Sequence, residues 1–248
     1  MDSSTVKLLA PFGVLIALLV FIVTFAVGVP VAVAAVAGVV FGVTIAVLLF
    51  HQADALVLKG LRVHSADART QPRVLNVLGG LCDSHGFRKP AVVIVDDAAR
   101  NACGFGRRSH HGTLALTSGL VESVDRLQLE GVLARELTAL SAKSRPAATT
   151  VVSLRRFLPR RMGDAIVERV QGQERAVRDD FDAVRYTRFP PGLAAALAKI
   201  DAGSAAVAGV NRAARHLWIV DPSDASSSDE RANDPWPVSL RVDALREL

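Results

Sequence analysis

From Leu8 to Phe50 the chain contains no aspartate, glutamate, lysine or arginine. So long a stretch without charge excludes an ordinary soluble surface. It also far exceeds the apolar region of one cleaved signal peptide, which runs about 7 to 15 residues. Cysteine is scarce: Cys82 and Cys103 are the only two, and no Cys-x-x-Cys is present. That argues against a disulfide-held scaffold and predicts two reduced thiols for a domain on the cytoplasmic side. Beyond two hydrophobic spans the chain shows no internal repeat. What it has in quantity is apolar surface, since 50% of its 248 residues are hydrophobic and the mean hydropathy is +0.32, high for a soluble protein.

A hydrocarbon core of roughly 30 Å needs about 20 apolar residues per helical crossing, so the charge-free run has length for two. The break lies at "VGVP", Val27 to Pro30, where Gly28 permits a turn and Pro30 lacks a backbone donor. Two transmembrane helices are predicted, about 8–27 and 31–50, within an N-terminal hairpin region 1–58 that precedes a domain at 59–248. Lys59, Arg62, Arg69 and Arg73 follow the second helix, whereas the hairpin tip has no charge. The positive-inside tendency then places both ends in the cytoplasm, giving a multi-pass integral protein of the cell membrane. The net charge of +5 is explained by anionic headgroups beside a tethered domain, and the lipid bilayer rather than nucleic acid is the expected partner. "SLRRFLPRRMG", Ser153 to Gly163, mixes arginine with Leu, Phe and Met and reads equally as an interfacial segment or a solvated helix.

After a linker-like stretch from Val63 to Gln71, Val74, Leu75, Val77, Leu78 and Leu81 recur at helical spacing, predicting an amphipathic helix that ends near Gly86. "PAVVIVDD" predicts a buried strand and Thr113–Thr117 a second one, with a Gly-rich loop or bent edge between them. Later come a helix to Phe189, a stop at Pro190 and Pro191, and another helix from Gly192 to Ile200. A flexible polar loop is expected at 223–233, followed by a short helix bearing Leu240, Val242, Leu245 and Leu248. The fold class is α+β, mainly helical with a small sheet.

One helix can be read closely. Asp125 and Gln128 have capping-box spacing, so the helix should begin near Arg126. Leu129, Val132, Leu133 and Leu140 then share one face, and Glu136 falls within that apolar stripe. A carboxylate aimed at a core needs a partner: a metal-bound water, an arginine or a proton of its own.

The ordered blocks "VVIVDDAARNACGFG", "LALTSGL", "LEGVLARELTAL", "DDFDAVRYT" and "HLWIVDP", behind a membrane hairpin, resemble the HtpX-like and CAAX-prenyl-protease-like zinc metallopeptidases. The resemblance covers roughly Val74 to the C-terminus and implies a gluzincin-like domain. In that family His-Glu-x-x-His on one helix holds zinc, with the Glu acting on the metal-bound water. By the resemblance Glu136 stands at the general-base position, the two histidine positions are Arg135 and Ala139, and the third ligand position is Ala176, four residues before Asp180. None of these three residue types normally binds zinc, so no cofactor is expected. His110, His111, His216 and Glu174 are the nearby alternatives as ligands. Arg135 is expected to replace the metal's structural role by pairing with Asp180, or with Glu136, unless it snorkels to solvent.

Three functions remain open, and with them whether the chain is an enzyme. One is an inactive binding or regulatory module with a vestigial Glu136, taking a membrane-protein partner or peptide segments along an edge strand at Asn101, Ala102 and Cys103. Another is an active zinc endopeptidase, with unconventional ligands, acting on membrane or misfolded proteins. The last is a surface anchor working through Arg155 to Arg161.

Overall fold

The computed structural model describes residues 2–108, 111–172, 174–203, 205–222 and 236–248. The loop expected at 223–233 lies outside the described residues. Two long helices open the chain, α1 (Ser3–Ala26) and α2 (Val31–Leu58). Both are long and apolar enough to cross a membrane. Gly28, at a φ of +91°, turns the chain between them. The helices touch where side chains vanish: a Cβ on Gly38 would stand 2.5 Å from the Ala17 carbonyl oxygen, and one on Gly42 2.4 Å from that of Gly13. Small residues admit this approach, which is how helices gain contact in lipid, where hydrophobic pressure between them is absent. Helix α2 outruns its predicted end by eight residues, because Ala53, Leu56 and Val57 are buried against the domain that follows.

The presumed linker forms β1 (Val63–Ser65), which pairs antiparallel with β2 (Ala91–Val95). Three residues of backbone pairing suffice there, and polar composition alone concealed them. Helix α3 (Pro72–His85) closes at left-handed Gly86 as its pattern predicts. The Gly-rich segment is β3 (Ala102–Arg108), antiparallel to β4 (His111–Thr117), which itself runs parallel to β2. The sheet order is β1-β2-β4-β3. Strand periodicity distributes the side chains: Val92, Ile94, Leu114 and Leu116 join the larger core, while Val95, Cys103, Phe105 and Ala115 join a second on the opposite face. A sheet covered on both faces loses polar alternation. That accounts for the near-continuous apolar strand sequences.

Short helix α4 (Ser118–Ser123) leads to α5 (Arg126–Ser141), α6 (Arg145–Leu154), α7 (Arg160–Gln171), α8 (Arg175–Thr187), α9 (Pro190–Ala202), a 3₁₀ helix (Arg212–Leu217) and α10 (Val238–Arg246). The capping box at Asp125 and Gln128 forms, with reciprocal bonds of 2.9 and 3.1 Å. Pro190 and Pro191 open α9 rather than merely stopping α8, since proline suits the first turn, where donors lack partners. In α10 Leu240 and Leu248 are exposed, and the buried stripe is Val238, Arg241, Val242 and Leu245. Val242 and Leu245 face the core as predicted, while Val238 and an arginine, Arg241, take the places expected of Leu240 and Leu248.

Candidate functional site

Glu136 projects from α5 into the interior, as the helical stripe requires, and is fully buried. Its partner is an arginine: Arg135 Nη1 donates to Glu136 Oε1 at 2.5 Å. Arg135 Nε donates to Asp180 Oδ1 at 2.7 Å. With 1% of its surface exposed, Arg135 does not snorkel. Burial opposes its charge, but Asp180, Glu136 and Asp179 outweigh that cost and hold its pKa above the ordinary arginine value.

Asp180, on α8, is shared. Arg241 from α10 grips it through Nε at 2.7 Å and Nη2 at 2.9 Å, and donates Nη1 to the Ile219 carbonyl at 3.1 Å. Neighbouring Asp179 meets Arg175 at 3.1 Å and Arg145 at 3.8 Å. Burial would raise the Asp179 pKa, yet Arg175, Arg135 and Arg145 bring it below the usual carboxylate value. Four arginines and three carboxylates thus form two adjacent sets of ion pairs, one on Asp180 joining α5, α8 and α10 and one on Asp179 joining α6 and α8.

Arg145, Arg175, Asp179 and Arg241 were not foreseen. A signal for Arg241 does exist, because Val238, Arg241, Val242 and Leu245 follow the i, i+3, i+4, i+7 rule of a buried helix face. Arg175 stands one helical turn before Asp179, an i, i+4 pair legible in the sequence, whereas Arg145 gives no comparable signal, its partner Asp179 being distant in sequence.

The remaining expected residues scatter. Ala139 is buried one turn after Arg135, with its carbonyl accepting from Arg145 Nε at 3.2 Å. Ala176 lines a cavity beside α7 and the 3₁₀ helix. His111 is exposed and near Arg88. His110 lies outside the described residues. Glu174 is exposed at the start of α8. His216 lines the same cavity as Ala176, with Nε2 against the Ala148 carbonyl at 2.9 Å, and burial pushes its pKa down to about 3. Among the described residues no three His, Cys, Asp or Glu side chains gather in a way that could hold a metal ion.

The expected peptide-accepting edge at Asn101, Ala102 and Cys103 meets this chain's own backbone. Ile219 N donates to the Ala102 carbonyl at 2.9 Å, and Cys103 bridges Trp218. Asn101 Nδ2 donates to the carbonyls of Ala205 and Val220 at 3.1 and 2.8 Å. Strand addition there has no open backbone groups to use, so the residues act as a clasp. Cys103 is a buried free thiol whose pKa burial and nearby Glu136 raise well above its usual value. That makes it a poor nucleophile.

Proteins named Protease HtpX homolog resemble this chain over most of its length. The one from Dictyoglomus thermophilum is 27% identical across 80% of this chain and 77% of its own. That of Tropheryma whipplei is 27% identical over 78% of each chain, and that of Streptococcus thermophilus 23% over 82% of each. These similarities support an HtpX-like family. The HtpX-like chain matches no family model, and no solved structure matches it. Its two apolar helices and these relatives support a membrane protein of the metallopeptidase-like kind.

Proposed function

We propose that this protein is a non-cleaving member of its family, which uses the retained fold as a membrane-anchored binding or regulatory module. The single observation that carries this reading is the Arg135 contact pair, Asp180 on one side and Glu136 on the other. A fixed cation occupies the place that the resemblance assigns to a zinc ligand. Its guanidinium has no lone pair and keeps its proton. Ala139 and Ala176 supply no donor, and both oxygens of Asp180 are taken by arginines. Glu136 Oε2 is buried without a hydrogen-bond partner, and one such oxygen suits a water rather than a catalytic zinc, which needs three protein ligands and an open position. The donor set does not fit zinc, and no peptide-hydrolysis step is built on it.

In this reading α1 and α2 span the cell membrane and the domain faces the cytoplasm, where it can meet another membrane protein. The test is metal analysis of the purified full-length chain together with a casein-cleavage assay and a Glu136→Gln control. Sub-stoichiometric zinc and no Glu136-dependent cleavage are expected. One zinc per chain with cleavage abolished by Glu136→Gln overturns the reading in favour of an active endopeptidase.

A further inference from the structure

Between α7, the start of α8 and the 3₁₀ helix lies a cavity of about 460 Å³. Six arginines line it: Arg155, Arg160, Arg175, Arg212, Arg215 and Arg241. The acids on its wall are Asp164, Glu168 and Asp221, so cations exceed carboxylates by six to three. Asp164 pairs with Arg155 and Arg160, Asp221 lies 3.9 Å from Arg215, and Arg241 is committed to Asp180.

Two donors of the wall are unanswered. Trp218 is 4% exposed, and its Nε1 is buried with no hydrogen-bond partner. Arg175 Nη2 is likewise buried and unpartnered, although Nε and Nη1 of the same guanidinium are satisfied by Asp179, Gln171 and the His216 carbonyl. A buried donor left unpaired costs free energy comparable to a lost hydrogen bond. The local potential agrees: burial, then Arg145 and Arg135, push the Arg175 pKa down to about 9, and Arg155 is lowered by burial and by Arg215, Arg160 and Arg212. Both remain cationic at neutral pH, and each is destabilised by positive neighbours.

The cavity stands at the end of the membrane hairpin. Leu154, immediately before Arg155, packs in one apolar cluster with Leu9, Leu49 and Phe50, and Ser153 Oγ donates to the Leu49 carbonyl at 2.8 Å. Leu49 follows Pro30 by 19 residues, about 28 Å at 1.5 Å per residue, close to the roughly 30 Å of a hydrocarbon core. Phe157 and Met162, 67% and 54% exposed, flank Arg160 in the sequence. Arg155, next to Leu154, therefore stands close to the end of the apolar hairpin.

We propose that this cavity is a binding site for a phosphate-bearing anion, held by Arg155, Arg175, Arg212 and the Trp218 indole N–H at the membrane boundary. Phosphate oxygens accept several charge-assisted hydrogen bonds at once and match guanidinium geometry. A hydroxyl on the bound group would also find an acceptor in His216 Nδ1, which is buried and unpartnered. The cavity adjoins the Glu136 centre, sharing Arg175, Ala176 and Arg241 with its surroundings, and the proposal does not depend on whether that centre binds metal.

The chain has two tryptophans, so Trp236→Phe leaves Trp218 as a reporter of its own surroundings. The full-length Trp236→Phe protein is placed in nanodiscs of phosphatidylcholine, alone or with phosphatidylglycerol, and the phosphatidylcholine sample is titrated with inorganic phosphate. A saturable change in Trp218 emission with phosphatidylglycerol only supports the site with a lipid headgroup as its source. A change with inorganic phosphate as well supports it with a soluble source. Arg212→Ala, at an exposed position, should weaken the response roughly tenfold by removing one charge-assisted contact, and Arg175→Gln should do so at least as strongly. Arg126→Ala, outside the cavity, should leave it unchanged. No response to either anion, or a response that Arg212→Ala and Arg126→Ala alter equally, overturns the proposal.

Discussion

Arg135 and Asp180, 45 positions apart in the chain, meet at 2.7 Å in a fully buried contact that joins α5 to α8. The contact is half of a bracket, because Arg241 closes on the other side of the same carboxylate. A buried ion pair is a weak guarantee of stability in itself, but removing one partner strands a charge.

Arg135→Ala should therefore cost roughly 3–5 kcal/mol, seen as a fall in Tm of about 10 °C in detergent. The loss comes from stranded Glu136 more than from the deleted side chain. Arg135→Met combined with Glu136→Leu should recover much of the stability lost in Arg135→Met alone. An additive double-mutant cycle would contradict the coupling seen at 2.5 Å.

Asp180→Asn removes the counter-charge from two guanidiniums at once, and its loss of Tm should equal or exceed that of Arg135→Ala. Thermal melts of the two variants side by side decide this.

Stability should also fall with acid through His216. Its folded pKa of about 3 lies below the ordinary value of 6.5, so the unfolded chain takes up a proton first as pH drops. The stabilisation is complete above about pH 6.5 and is lost toward pH 3, at about 1.4 kcal/mol per pH unit. Asp179, whose pKa is also depressed, adds its loss only below about pH 4. Melts between pH 7.5 and 4.5 should show the slope, and His216→Gln should flatten it.

In the membrane hairpin, Gly38→Leu should force α1 and α2 apart, because even a Cβ would stand 2.5 Å from the Ala17 backbone oxygen. Cysteine pairs introduced at Ala17 and Gly38 neighbours should cross-link in the parent and poorly in the variant.

The assignment of ligand positions can be tested by reversing it. Arg135→His, Ala139→His and Ala176→Glu together should give about one bound zinc per chain in metal analysis, where any two of the three bind weakly. Failure of the triple variant to take up zinc while remaining folded would mean that the three positions do not face one another.

Local order in the chain carries much of this architecture. The charge-free run reveals two long apolar helices, the Asp125–Gln128 spacing starts α5 where it starts, and helical periodicity points Glu136 inward, because each depends on neighbours within a few residues. Strand β1 escaped notice since three exposed residues, only one of them apolar, acquire strand geometry only by pairing with β2. The clasp at Asn101 and the bracket of Arg135, Asp180 and Arg241 depend on segments brought together across 45 to 119 residues. Which arginine meets which carboxylate was thus decided by tertiary packing alone: charge fixes what each buried group needs, and only the folded chain determines what stands within 3 Å of it.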